Sequence, residues 1–194
     1  MITVPVMLVI AYLIGSLSSA IIVCKLMNLP DPRTQGSNNP GATNVLRVGG
    51  KLPAAITLLG DFFKGNIPVF IAAILGVQGF FLGLIAIAAM LGHIFPIFFK
   101  FQGGKGVATF FGSLIALNFF VGGVAIATWL VVVAITRYVS VASLTSAILA
   151  LLYTLLFGHA EYFIPIFIMA AIMIWSHWEN IQRLKSGTEN KFNF

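Results

Sequence analysis

Charged side chains are scarce in this chain. Its 194 residues include 11 Lys and Arg and 5 Asp and Glu, or 8%, whereas a soluble globular domain carries about 25%. Alternating ten-residue strand patterns are missing too, while apolar runs of roughly 20 residues recur. Since lipid tolerates only structures that pair their backbone N–H and C=O groups internally, these features predict an all-α, polytopic integral membrane protein.

Cysteine is almost absent as well. The one residue, Cys24, excludes an intramolecular disulfide framework and fits a small apolar position in a helix. No basic segment precedes the first apolar run, so residues 1–24 are expected to be a retained first span and not a cleaved signal. Because no convincing internal repeat appears, we expect a single membrane-embedded domain over residues 1–194, with a short basic tail from about residue 178 to residue 194.

Seven apolar segments are candidate spans, at about residues 4–24, 53–76, 80–99, 106–117, 120–136, 139–157 and 162–177. The fourth and fifth form one apolar stretch that only Asn118 and the Gly122–Gly123 pair interrupt. The positive-inside rule favours dividing it. With seven spans and the N-terminus outside, all basic residues except Lys64 are cytoplasmic, whereas a single span over residues 106–136 would send Arg137 and the basic tail outside. We therefore predict seven transmembrane helices, with the N-terminus outside and the C-terminus cytoplasmic.

Two polar, glycine-rich stretches fall on the predicted cytoplasmic side. The first is GSNNPGATN at 36–44, followed by Arg47, and the second is GGKG at 103–106. Glycine and asparagine permit left-handed turns, and backbone N–H groups with a nearby Lys or Arg bind phosphate well. The second stretch is not a Walker A loop, because Phe99 and Gly106 occupy the positions of its first glycine and its Ser or Thr. Either stretch alone could be an ordinary loop between helices, but two at one bilayer surface predict a phosphorylated ligand with an acyl tail.

Ionisable residues near or inside the spans form a second set of candidates. Asp61 and Lys64 lie three residues apart on one helical face, where a functional role and a structural ion pair are equally good accounts. His93 lies about 9 Å inside the third span and could be a catalytic base or a histidine hydrogen-bonded within the bundle. His177 and Asn180 are one helical turn apart at the inner end of the last span, where both loops are expected to converge.

Several long motifs together resemble a known family. GSNNPGATN with Arg47, DFFKG at 61–65, GHIFPIFFKFQGGKGVAT at 92–109, RYVSVAS at 137–143 and HWENIQRLKSGTE at 177–189 are similar, in this order, to the bacterial acyl-phosphate:glycerol-3-phosphate acyltransferases (the PlsY family). The resemblance covers nearly the whole chain. Two positions depart from it: Asn38 replaces the glycine usual after Ser37, although Asn can also adopt a left-handed turn, and Trp178 stands where a basic residue is common.

The resemblance implies transfer of a fatty acyl group from acyl phosphate to the 1-position of glycerol 3-phosphate, which yields lysophosphatidic acid (1-acyl-glycerol 3-phosphate) and phosphate in phospholipid biosynthesis. It implies a multi-pass protein of the bacterial cytoplasmic (inner) membrane, with its active site on the cytoplasmic face. The expected partners are the two substrates and the lipid bilayer, without nucleic acid, cofactor or metal. The His-x4-Asp signature of the coenzyme A-dependent acyltransferases is missing, so the donor need not be a thioester.

The resemblance and the loop chemistry assign the site residues. His177, Lys105 and Ser37 are the expected catalytic residues. The expected substrate-binding residues are Gly36, Asn39, Gly41, Thr43, Asn44, Arg47, His93, Gly103, Gly104, Ser143 and Asn180. We expect electrostatic positioning more than covalent catalysis, with His177, His93 or the donor's phosphate as the base ranked above a Ser nucleophile. A small anion transporter or channel subunit is the alternative, but it would need polar residues through the midplane and on both faces.

Overall fold

The computed structural model describes residues 2–157 and 159–192. Within these ranges the chain is helical and contains no β-strand, so the all-α prediction is confirmed. The α-helices are α1 (Thr3–Gly15), α2 (Ser19–Leu26), α3 (Ala42–Gly49), α4 (Lys51–Ile74), α5 (Gly79–Ile94), α6 (Val107–Leu117), α7 (Phe119–Thr136), α8 (Val139–Leu156), α9 (Phe163–Ser176) and α10 (Trp178–Lys185). Short 3-10 turns at Ile97–Phe99 and Ala160–Tyr162 follow α5 and precede α9.

The long apolar stretch after Gly106 divides at Asn118, as the sequence predicts. Asn118 has an extended backbone and ends α6, and its side-chain oxygen accepts a hydrogen bond from the Val121 N–H at 3.0 Å. This is the N-cap arrangement that starts a new helix. Residues 106–136 therefore form two helices, α6 and α7.

By length, the candidate spans are long single helices, bent pairs of shorter helices, or the short helix α6. In the described part of the chain, four helices are long and apolar enough to cross a membrane: Lys51–Ile74, Gly79–Phe99, Phe119–Thr136 and Val139–Leu156. The α1–α2 pair and the pair that joins Ala160–Ser176 to α10 would each form one span, bent by 40° and 56°, which gives up to six. Helix α6 has 11 residues and is about 16 Å long, against a hydrocarbon core of about 30 Å. Seven spans and the orientation of the termini remain predictions.

Helix α6 packs tightly against α4 inside the bundle. A Cβ at Gly65 would overlap the Thr109 carbonyl oxygen, and one at Gly112 would overlap the Phe62 carbonyl oxygen. Across this contact the Thr109 hydroxyl donates to the Asp61 carbonyl at 2.9 Å. Small residues that let two backbones approach this closely are typical of helix packing in membranes. They fix α6 and the loop before it relative to α4.

The Asp61–Lys64 ion pair joins three elements. The Lys64 ammonium lies 2.8 Å from an Asp61 carboxylate oxygen and donates at 2.9 Å to the Leu17 carbonyl. That carbonyl lies in the break between α1 and α2. His93 Nδ1 lies 3.6 Å from the same Asp61 oxygen. The pair therefore has a structural role, because it ties the break in the first bent pair to α4 and places α5 beside them.

Candidate active site

The two glycine-rich stretches meet at one end of the bundle, around a cavity of about 980 Å³. Eleven of the predicted site residues line it: Gly36, Ser37, Asn39, Gly41, Thr43, Asn44, Arg47, His93, Lys105, His177 and Asn180. The opposite wall is apolar and is formed by α4, α6 and α7, with Leu58, Phe62, Phe111, Trp129 and Leu130 among its side chains. The cavity therefore combines a polar end with an apolar wall, as an amphipathic substrate requires.

The segment before α3 is shaped by Asn44. Its side chain is 1% exposed, and its oxygen accepts from the Ser37 N–H at 2.9 Å. Its amide nitrogen donates to the Pro32 and Gln35 carbonyls at 2.8 and 2.9 Å. Since both of its donor hydrogens are used within the loop, the Asn44 side chain fixes the loop's shape. Only the backbone N–H of Ser37 takes part, and Ser37 lines the cavity.

Left-handed backbone at two positions gives this loop its curvature. Gly36 has φ +61°, and a Cβ there would overlap the Asn44 side-chain oxygen. Asn38 has φ +56°, a conformation that asparagine adopts more readily than most residues. Asparagine at position 38 therefore permits a left-handed turn of the kind that glycine also adopts.

Gly103 and Gly104 support the second loop and do not line the cavity. The Gly104 N–H donates to the His93 carbonyl at 3.2 Å. A Cβ at Gly104 would overlap the His93 ring, and one at Gly103 would overlap the His93 carbonyl oxygen. These glycines let the loop lie on the end of α5, which positions Lys105. Their direct contact with substrate stays a prediction.

Lys105 is a half-buried cation at the polar end of the cavity. Its ammonium donates to the Asn180 side-chain oxygen, and its carbonyl accepts from the Ser176 hydroxyl at 3.1 Å. Burial lowers the pKa of Lys105, and the positive charge of Arg183 lowers it further, although Glu179 and Glu189 act in the opposite direction. A partly dehydrated cation at the polar end of a cavity favours an anion such as phosphate.

His177 occupies the break between α9 and α10. It is 3% exposed, and its Nδ1 lies 2.8 Å from the Met173 carbonyl. A carbonyl can only accept, so Nδ1 carries the hydrogen in this arrangement and Nε2 is left as an acceptor. The bend of 56° at this position turns α10 across the end of the bundle and brings Asn180 to Lys105.

Ser143 lies behind the cavity wall. Its hydroxyl donates to the Val139 carbonyl at 2.8 Å and accepts from the Trp129 indole N–H at 3.1 Å. Among the described residues it is Ser140, one turn earlier, that lines the cavity. The Ser143 hydroxyl thus orients Trp129, which forms part of the apolar wall, and a substrate contact of Ser143 stays a prediction.

Glu189 is one of the cavity residues that sequence reasoning missed. One carboxylate oxygen accepts from the Asn180 amide at 2.6 Å and from the Ser140 hydroxyl at 2.7 Å, and the other accepts from Arg183 Nε at 2.7 Å. The family motif that begins at His177 ends at this residue, which was the available signal. Nothing in the pattern shows, however, that the chain turns back at Gly187, whose φ is +71°.

Comparison with known proteins decides the family. The family model described as glycerol-3-phosphate acyltransferase matches residues 5–187. This chain belongs to that family. Glycerol-3-phosphate acyltransferases of Coxiella burnetii (strain RSA 493 / Nine Mile phase I) and Shewanella loihica are 57% and 53% identical over 184 and 185 residues. These matches cover 95% of this chain, and 95% and 91% of the two relatives.

The acyltransferase fold also matches solved structures. A crystal structure of PlsY, an integral membrane glycerol 3-phosphate acyltransferase, in its glycerol 3-phosphate form gives a TM-score of 0.93 at 38% identity, covering 98% of this chain and 96% of that one. Its lysophosphatidic acid form gives 0.91 at 36%, covering 98% and 95%. The resemblance predicted from the motifs is confirmed: the protein is a multi-pass membrane acyltransferase of phospholipid biosynthesis.

Proposed function

We propose that this acyltransferase moves a fatty acyl group from acyl phosphate to the 1-position of glycerol 3-phosphate, releasing lysophosphatidic acid and phosphate. The observation that carries the proposal is the cavity described above, in which one end is polar and cationic and the facing wall is apolar. Both substrates carry a phosphate and only the donor carries a long chain. One cavity with these two surfaces accommodates both.

The apolar wall supports entry of the donor from the bilayer. Leu58, Leu59 and Phe63 on α4 and Leu130 on α7 line the cavity and are 48% to 57% exposed, so this wall is open at the surface of the bundle. An apolar side chain that faces both the cavity and lipid marks a lateral opening between these helices. The acyl chain then stays in lipid while its phosphate reaches the polar end.

The polar end supports binding of two phosphates. The first glycine-rich loop supplies Ser37 and Arg47, and the second supplies Lys105. Among the described residues, the Ser37 hydroxyl and the Arg47 guanidinium have no partner within the protein, so both are available to ligands. Arg binds phosphate through two parallel hydrogen bonds, while Lys acts as a point charge.

Acyl phosphate suits a site that positions its substrates without forming a covalent intermediate. The 1-hydroxyl attacks the acyl carbonyl carbon, the new ester C–O bond forms, and the bond to the phosphate oxygen breaks. Lys105 and Arg47 stabilise the negative charge that develops. The hydroxyl proton passes to His177 Nε2 or to the donor's phosphate, whose second pKa as an ester is about 6.

The same proposal includes the location of the site. Seven spans with the N-terminus outside would place the cavity and nearly all the basic residues on the cytoplasmic face of the bacterial inner membrane. Glycerol 3-phosphate would then enter from the cytoplasm, while the donor enters sideways from the leaflet.

Purified protein in detergent, supplied with glycerol 3-phosphate and either acyl phosphate or acyl-coenzyme A, tests the donor. We expect stoichiometric phosphate release and 1-acyl product with acyl phosphate only, and no phosphate release when glycerol 3-phosphate is left out. Equal turnover with acyl-coenzyme A would refute the donor assignment. A product acylated at the 2-position would refute the assignment of the position.

A further inference from the structure

The last described residues form a strap across the mouth of the cavity. After Gly187 the Thr188 N–H donates to the Arg183 carbonyl at 2.8 Å, and further on the Phe192 N–H donates to the Arg137 carbonyl at 2.7 Å. The chain from 187 to 192, called the strap below, thus runs from the end of α10 to the junction of α7 and α8. Three of its residues, Glu189, Asn190 and Phe192, line the cavity.

Glu189 is the buried centre of this strap. Its side chain is 8% exposed and accepts hydrogen bonds from Ser140 on α8 and from Asn180 and Arg183 on α10. Burial raises its pKa, but the hydrogen bonds from Asn180, Ser140 and Arg183 outweigh burial, and the pKa lies below that of an ordinary glutamate. Glu189 is therefore an ionised acceptor at neutral pH.

The ionised carboxylate of Glu189 fixes the orientation of the side-chain amide of Asn180. Asn180 has an acceptor oxygen and a donor nitrogen at nearly equivalent positions. The nitrogen faces Glu189, because the carboxylate can only accept, and the oxygen consequently faces the Lys105 ammonium. Turning the amide over would set its oxygen against the carboxylate and its nitrogen against the ammonium, which is unfavourable on both sides.

We propose that Glu189 is a positioning residue: it fixes the orientation of the Asn180 amide, and through Asn180 it holds Lys105 where the phosphate of glycerol 3-phosphate binds. The inference rests on the proposed function only in that Lys105, at the polar end of the cavity, binds a substrate phosphate, and it does not depend on the identity of the acyl donor.

Glu189→Gln is the variant that tests it. Glutamine keeps the volume but can turn either its oxygen or its NH2 group toward Asn180, so the Asn180 amide is no longer held in one orientation. Titration calorimetry of glycerol 3-phosphate with the purified protein measures the effect without any acyl donor. We expect the Kd to rise about tenfold while the unfolding temperature stays close to that of the wild type. Glu161→Gln, which removes the same charge near the 3-10 turn at Ala160–Tyr162, is the matched control and should leave the Kd unchanged.

A double-mutant cycle separates positioning from a general structural effect. If Glu189 acts through Asn180, Glu189→Gln should raise the Kd in the wild type but leave it unchanged in the Asn180→Ala background. An equal rise in both backgrounds, or no rise in either, would overturn the inference. If Glu189→Gln does not fold, the same cycle with Ser140→Ala decides, because it removes one donor that holds Glu189: a rise of a few-fold only when Asn180 is present supports positioning, and any other result contradicts it.

Failure here is distinguishable from failure of the proposed function. A wild-type enzyme that uses acyl phosphate, combined with a cycle showing no coupling, removes only the role of Glu189. Conversely, coupling in the calorimetric cycle would support the positioning role even if the acyl donor proved to be a thioester.

Discussion

Lys105 is held in place by its backbone and by its side chain. The backbone of its loop is fixed by Gly103 and Gly104 on the end of α5, its carbonyl by Ser176, and its ammonium by Asn180. Removing one positioned charged donor commonly costs about 3 kcal/mol, or a factor of about a hundred. We therefore expect Lys105→Ala to lower kcat/KM by about a hundredfold while the protein still folds and inserts. Steady-state kinetics beside an unfolding curve measures both, and near-normal kinetics would make this loop a simple connector.

The lowered pKa of Lys105 predicts a pH dependence with a definite sign. Burial and the charge of Arg183 disfavour the ammonium, so it loses its proton at a lower pH than an ordinary lysine. As pH rises through this lowered pKa, the substrate phosphate loses its counter-charge, and kcat/KM should fall. The pH profile of kcat/KM reports the free enzyme, and Lys105→Arg should move the alkaline limb to higher pH. A limb at the same pH in Lys105→Arg would assign it to another group.

His177 and Asn180 should differ in their kinetic effects. His177 Nδ1 is held by the Met173 carbonyl, which leaves Nε2 to accept a proton, whereas the Asn180 oxygen holds Lys105. We expect His177→Ala chiefly to lower kcat and Asn180→Ala chiefly to raise the KM for glycerol 3-phosphate. Initial rates over a range of glycerol 3-phosphate concentrations, at saturating donor, separate the two. If neither variant changes kcat or KM, the inner end of the last span lies outside the site.

Which residues lie at the site was more predictable than what each side chain does. The residue types at 36–47 and at 103–106 indicate phosphate chemistry, and the cavity contains most of them. Sequence does not show that Asn44 uses all its amide groups inside the loop, or that Ser143 faces Trp129 and not the cavity. These roles depend on side-chain direction, which a difference of a few tens of degrees around a helix or turn decides.

Among the elements, α6 depends on contact with α4 more than on its own length. A methyl group at Gly65 would overlap the backbone of Thr109. Helix backbone cannot move aside as a flexible side chain could. We expect Gly65→Ala to destabilise the protein by about 1–3 kcal/mol and to lower activity, because the Lys105 loop leads directly into α6. Thermal unfolding in detergent measures the change. Gly123→Ala on α7, where an added Cβ meets nothing within 4 Å, is the control, and equal effects of the two substitutions would contradict the packing argument.

Hydropathy predicts the boundaries of elements where a polar residue or glycine interrupts an apolar run. It does not predict them where the chain only bends. Asn118 was identifiable because a capping residue interrupts an apolar run. The bends at Ser16–Ser18 and at His177 occur within stretches whose composition suits one continuous helix. Helix α3 was missed for a related reason: it is one short amphipathic helix in a segment that is polar on average. Bends and short helices are set by tertiary contacts, such as that of Lys64 with Leu17, which composition does not reveal.

At the scale of the whole molecule, the short α6 decides the topology. Between Gln78 and Ser186 the chain crosses the membrane five times if α6 counts as a span, and four times if it does not. We expect cysteines placed at these two positions to react from opposite sides, with Ser186→Cys labelled only from the cytoplasm. The buried single cysteine, Cys24, is first replaced by alanine. Labelling of both from the same side would show that α6 does not cross.

If the donor enters past the apolar wall formed by α4, α6 and α7, as proposed, this wall determines which donor concentration sets the rate. A donor that enters sideways reaches the enzyme from the membrane and not from bulk water. The rate at which donor and enzyme collide therefore depends on the mole fraction of donor in the surrounding leaflet. Diluting the donor with inert lipid at constant total amount then slows the reaction, while changing the aqueous volume does not. Glycerol 3-phosphate, in contrast, is sampled in three dimensions. The rate therefore depends on two different kinds of concentration: the amount of donor per area of leaflet and the amount of glycerol 3-phosphate per volume of water.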